Sequence, residues 1–244
     1  MSRISLETAE IFASQLRSQL RVSNTEPINV KIILRMLGVL TLYRPLSSAL
    51  YGFSMKSADG KCRFILVNSN SMIGRQNFTI AHELYHLYFD GNPRPHFCQV
   101  GKLDDEEKSA NLFAGAFLMP KLGLIQHIPD EELFSKKISL NTILNLEALF
   151  GVSHSALMVR LKELKFITER LYECYTSLKI NVEAISRGFD VELYNKGNEG
   201  LVIGDFGAKA RELFEKDIIS EGHYIELLNM IGYGCGEGEN CSGC

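Results

Sequence analysis

His82 and His86 stand four residues apart with Glu83 between them, in the run His82-Glu83-Leu84-Tyr85-His86. On an α-helix, residues four apart stack on one face, so both imidazoles can offer a nitrogen to a single ion. Glu83 sits one residue round and can reach a water beside that ion. The spacing therefore predicts a zinc site with a carboxylate base next to it. The flanking residues predict the helix itself: Asn77 reads as its N-cap, Gly91 as the residue just past its end, and Pro93 as a stop. Most of its other positions are apolar, including Ile80, Ala81, Leu84 and Leu87, which predicts a buried helix. Two histidines and a glutamate buried there are costly without partners, and a metal meets that need.

A structural zinc takes four protein ligands, whereas a catalytic one takes three and leaves a position for water. Asn92 stands where a metzincin carries its third histidine, which excludes that class. Asp90, one turn beyond His86 at the helix end, reads as a solvated terminal residue or as a partner that holds His86 from behind. Glu107 is the stronger ligand candidate. It lies in a second predicted helix that begins at Asp104 and is closed by Pro120. Glu107 shares a stripe with Ala110, Asn111 and Ala114, and the two alanines would let this helix approach the first closely. The other reading of the same residues makes Asp104 an N-cap and Glu107 the far side of a capping box, with Glu106 as the fallback ligand.

Thr79-Ile80-Ala81-His82-Glu83-Leu84-Tyr85-His86, followed by Glu107-Lys108-Ser109-Ala110-Asn111-Leu112-Phe113-Ala114 and Phe117-Leu118-Met119-Pro120, closely resembles the ImmA/IrrE family of metallopeptidases. The family pattern is T-x-A-H-E-x-x-H and then E-x-x-A-N-x-F-A-x-x-L-L-M-P; Phe117 in place of the first leucine is a conservative departure. The resemblance covers roughly residues 5–165. It implies an α+β fold with a thermolysin-like zincin core, in which a small sheet and hairpin pack on the active-site helices. It implies Zn²⁺ bound by His82, His86 and Glu107, with Glu83 as the base of peptide-bond hydrolysis. It also implies a protein substrate, a helix-turn-helix (Xre-like) repressor whose cleavage relieves repression in a mobile element or a stress response. In such a site a metal acidifies water, and Glu83 takes the proton and returns it to the leaving amine. A donor to the developing oxyanion is expected, and Tyr85, His96, His127 and His154 are candidates between which composition does not choose.

Residues 49–55 and 62–68, joined by Ser57-Ala58-Asp59-Gly60, read as a β-hairpin whose edge an extended substrate could join. Residues 5–20 and 28–39 read as packing helices, the second stopped at Gly38. There is no basic segment followed by an apolar core at the start and no run of 18 apolar residues, so the expectation is a cytoplasmic protein without a membrane anchor. A formal net charge of −3 gives no global attraction to nucleic acid.

Residues 139–161 carry a helix-turn-helix pattern, with Gly151 at the turn and Ser153 as a cap. Its second helix offers Ser153, His154, Ser155 and Arg160, a thin set for reading bases, so direct DNA binding is not favoured. The expected organisation is a zincin domain over 1–135, a helix-turn-helix-like segment over 136–167, and a C-terminal region of unassigned role over 168–244. In that last region, 183–189, 208–215 and 224–231 read as helix, and 191–194 and 201–203 as strand. Cys235, Cys241 and Cys244 sit in a Gly-rich tail that is one ligand short of a zinc knuckle and reads as disordered. Two other classes stay open. One is a DNA-binding regulator with a structural metal; the other is a regulator that sequesters its partner without cutting it.

Overall fold

The computed structural model describes residues 3–91, 95–102 and 104–232. Helix α1 (Leu6–Gln19) begins where the Ser5 hydroxyl accepts from the Thr8 amide, and α2 (Val30–Met36) where the Asn29 side chain accepts from the amides of Lys31 and Ile32. Strands β1 (Val39–Arg44), β2 (Leu50–Lys56) and β3 (Arg63–Asn68) lead into the long α3 (Ile73–Tyr88). A short β4 (His96–Gln99) precedes α4 (Asp105–Leu118), and then α5 (Lys121–His127), α6 (Asp130–Ser135), α7 (Leu140–Phe150) and α8 (His154–Glu163) follow. The remainder comprises α9 (Glu169–Thr176), α10 (Ile180–Ser186), a 3₁₀ turn at Glu192–Tyr194, β5 (Val202–Ile203), α11 (Phe206–Glu215) and α12 (Glu221–Met230).

The strands form one mixed sheet in the order β4-β2-β3-β1-β5, with β1 parallel to β3 and the other pairs antiparallel. The hairpin of β2 and β3 is as expected. Its β2 edge, however, is not free for a substrate, because β4 already pairs with it, His96 opposite Ser54. The segment 191–194 is a 3₁₀ turn and not a strand, while 202–203 does join the sheet beside β1.

Helix α3 lies between the sheet and α4. It starts at Ile73, four residues before the expected cap. Asn77 is inside the helix, and its side-chain amide donates to the Gly151 carbonyl at 2.8 Å, pinning the turn between α7 and α8. The helix start is held by tertiary partners in place of a capping side chain: Ile73 N donates to Asn195 O, and Gln76 Nε2 donates to the carbonyls of Ser71 and Gly197. At the other end, Lys56 Nζ on β2 donates to the carbonyls of His86 at 3.3 Å and Asp90 at 2.7 Å, the usual service of a cation to the unpaired oxygens of a helix C-terminus.

Two buried arginines fix the far end of α4. Arg17 Nη1 donates to Phe117 O, and Arg160 Nε donates to Met119 O while its Nη2 pairs with Glu10. Phe12, Phe89, Phe113 and Phe117 form a continuous ring contact through α1, α3 and α4, with successive centroids 4.6, 5.0 and 5.5 Å apart. Helix α3 is thus held at both ends and α4 at its far end.

Helices α7 and α8 meet at 107°, turning at Gly151, whose φ of +63° suits glycine. Of the polar positions on α8, His154 is buried against Glu147 and Arg160 is buried in the clamp just described. Among the described residues no single helix is long and apolar enough to cross a membrane.

Candidate metal centre

The α3 stripe brings His82, Glu83 and His86 into the interior, each less than 5% exposed. Gly52 makes this packing fit: a Cβ there would lie 2.8 Å from Thr79 Cγ2 and 2.9 Å from Leu66 O, so only glycine lets β2 come so close to α3. Helix α4 delivers Glu107 from the opposite side. Asp104 is the N-cap and accepts from the Glu107 amide at 3.0 Å, so the capping expectation is correct for Asp104. The Glu107 carboxylate is directed to the centre: its Oε2 is 3.2 Å from His82 Nε2.

His82 Nε2 and His86 Nε2 face each other at 3.3 Å. A metal with tetrahedral bonds of about 2.0–2.1 Å separates its donors by roughly 3.3–3.4 Å, so these separations are those of ligands around one ion. Both rings are turned to suit. His82 Nδ1 is held by Asn111 Oδ1 at 3.0 Å and His86 Nδ1 by Asp90 Oδ2 at 3.3 Å, so each ring has its Nδ1 engaged from behind and turns its Nε2 inward. Asp90 therefore serves as a partner behind His86. Glu106 also lies behind His86, 3.7 Å from Nδ1, in a group with Asp90.

Of the four candidate oxyanion donors, the structure brings His96 into the cluster. His154 is engaged by Glu147, and His127 packs edge-on against Phe150. Tyr85 lies edge-on to the His86 ring, and its hydroxyl is hydrogen-bonded with Ser109. His96, on β4, stacks on His86 with centroids 3.5 Å apart and spans two carboxylates, Nδ1 to Glu83 Oε2 at 3.0 Å and Nε2 to Glu107 Oε1 at 2.7 Å. The donor atoms of His82, His86, His96 and Glu107 all lie within 4.8 Å of one another.

Electrostatics follow from this enclosure. Burial alone would lower the His96 pKa, but the hydrogen bonds and charges of Glu107 and Glu83 lift it to about 9. Burial would raise Glu83, yet His96, His82 and His86 together hold it below the usual carboxylate range. Glu107 is driven well below that range by His82 and His96 against the same burial penalty. Ser54 Oγ on β2 donates to Glu83 Oε2 at 2.5 Å, and Glu83 Oε1 is buried without a hydrogen-bond partner. A buried acceptor left open in this way is what a site for water or substrate requires.

Ser54 belongs to no motif, and Asn111, though it stands at the Asn of the E-x-x-A-N pattern, has no role that the pattern reveals. Ser54 alternates with Gly52 on one strand face and Asn111 lies one helical turn after Glu107, but their partners come from other elements. The cleft beside the centre, lined by residues including Tyr51, Thr79, His82, Cys98, Glu107 and Asn111, has a volume of about 130 Å³. That is well under the roughly 300–1,000 Å³ of an ordinary ligand pocket.

No curated protein matches the chain significantly. The model of the Peptidase_M78 family, the IrrE N-terminal-like domain, matches residues 35–162, over half of the 244 residues and every member of the cluster. The family is one of metal-dependent peptidases, in keeping with a His/Glu donor group of this kind. With the motif and the clustered donors in place, the chain belongs to the IrrE N-terminal-like (Peptidase_M78) family.

Proposed function

We propose that the protein is a zinc-dependent endopeptidase with a thermolysin-like zincin core, in which His82, His86 and Glu107 hold the metal and Glu83 is the general base. The observation that carries this reading is the convergence of the two Nε2 atoms and the Glu107 carboxylate at separations of 3.2 and 3.3 Å, each imidazole being turned by an acceptor behind it. Two histidines and a glutamate are the donor set of catalytic zinc, which when bound acidifies water and polarises a peptide carbonyl. An antiparallel strand, β2, beside the motif helix supports the thermolysin-like reading.

Glu83 performs the proton transfers. Its low pKa keeps it ionised and able to accept a proton, Ser54 and His96 hold one oxygen, and the other is buried without a hydrogen-bond partner. Once protonated, the same carboxyl is placed to give the proton to the departing amine. The substrate reading, a helix-turn-helix repressor cut to relieve repression, rests on the family resemblance and puts the enzyme in the cytoplasm with that repressor. The inward-facing His154 and Arg160 favour a peptidase over a protein that reads DNA through α8.

The test is metal dependence of a defined cleavage. The zinc-loaded protein should cut the helix-turn-helix repressor encoded beside it into discrete fragments, lose that activity to a chelator, and regain it with zinc. His82→Ala should neither retain zinc nor be rescued. Cleavage that survives complete zinc removal would contradict the proposal.

A further inference from the structure

We infer that His96 is a fourth protein donor to the metal, delivered by β4, so that the resting centre is closed by protein. This inference rests on the metallopeptidase reading of the site and specifies how the site is kept inactive.

Three observations carry it. First, His96 is the remaining member of the one four-donor group among the described residues, its ring stacked on His86 at 3.5 Å. Second, its two nitrogens are both committed to the centre's carboxylates: Nδ1 is held by Glu83 Oε2, as His82 Nδ1 is by Asn111 and His86 Nδ1 by Asp90, and Nε2 lies 2.7 Å from the Glu107 carboxylate inside the same donor group. Third, its strand position is fixed. β4 pairs with β2 so that His96 lies opposite Ser54, and Ser54 itself holds Glu83.

Cys98 is the rival donor on the same face of β4, but its sulfur groups with His82 and Glu83 and not with His86 or Glu107. The closure is double. A fourth ligand fills the position that water or a carbonyl needs, and the same imidazole occupies Glu83 Oε2. β4 also takes the β2 edge and leaves a cleft of only about 130 Å³. Withdrawal of His96 would free a metal position and the base together, so an activating partner has one side chain to displace.

The experiment is X-ray absorption on the zinc-loaded full-length protein, which counts imidazole scatterers and detects sulfur, together with zinc affinity by chelator competition and binding of acetohydroxamate. Three imidazoles and no sulfur are expected for wild type, falling to two in His96→Ala. Zinc binding should weaken by about tenfold or more in that variant, and acetohydroxamate should bind it more tightly than wild type. His96→Gln should repeat these effects, and circular dichroism of both variants checks that they fold. Two imidazoles in wild type, or a sulfur at about 2.3 Å, would overturn the fourth-donor inference while leaving the His82, His86 and Glu107 site intact. A wild type that binds zinc no better than His82→Ala would overturn both.

Discussion

Asn111 on α4 and His82 on α3 are joined by a 3.0 Å hydrogen bond between His82 Nδ1 and Asn111 Oδ1, so the helix that supplies Glu107 also sets which nitrogen of His82 faces the donor cluster. Asn111→Leu should leave the fold in place and weaken zinc binding by about ten- to a hundredfold, as loss of an orienting partner does. Competition with a chromophoric chelator measures this; an unchanged affinity would show that the ring is oriented by packing alone.

Ser54 is expected to matter for turnover and not for metal retention. Its hydroxyl holds Glu83 Oε2 at 2.5 Å and touches no donor. Ser54→Ala should reduce kcat by about tenfold through a misdirected base, with zinc affinity unchanged. Parallel kinetics and zinc titration of this variant separate the two effects.

The metal-free protein should lose stability at alkaline pH. The folded state raises His96 to about 9, above its unfolded value of about 6.5, because Glu107 and Glu83 favour the protonated ring despite its burial. That contribution is complete below about pH 6.5 and disappears as pH rises through about 9. Glu83 and Glu107 are depressed and act in the opposite sense, stabilising above the usual carboxylate range and failing as pH falls through it. Thermal melts of chelated protein should therefore drop by several degrees between pH 6.5 and 9.5, and His96→Gln should flatten that slope.

The grouping of His82, Glu83, His86 and Glu107 was legible in the sequence, and the arrival of His96 among them was not. Helical spacing is local, so His82, Glu83, His86 and the inward face carrying Glu107 could be read from one-turn and two-turn intervals. His96 arrives through strand pairing of β4 with β2, a contact between residues some forty positions apart that no periodicity records. The start of α3 was misplaced because Met72 supplies no capping side chain and the partners come from residues 195–197. β1 (Val39–Arg44), which follows the helix stop at Gly38, has no reading in the sequence pattern; its pairing with β3 and β5 reveals it. The tail with Cys235, Cys241 and Cys244 lies outside the described residues.

Residues beyond 167 should prove necessary for the stability of what precedes them. Glu147 on α7 is fully buried, accepts from Tyr194 at 2.5 Å and pairs with His154 at 2.6 Å, while Asn195 O holds the start of α3. Glu147→Ala leaves both partners unsatisfied and should cost about 3–5 kcal/mol. Tyr194→Phe, which removes one bond to a charged group, should cost about 1–3 kcal/mol. Urea denaturation of the two variants, with truncation after residue 167 as the extreme case, provides the measure; a truncated chain as stable as the full one would refute this coupling.

The most direct test of the account is to incubate zinc-loaded wild type and Glu83→Gln in parallel with the helix-turn-helix repressor encoded beside the gene, confirm equal metal content, and search for a discrete fragment by mass spectrometry. Cleavage is expected from wild type and none from Glu83→Gln, which keeps every proposed ligand and loses only the base. Equal cleavage by both proteins, with zinc present in each, would contradict the assignment of Glu83 and with it the central claim.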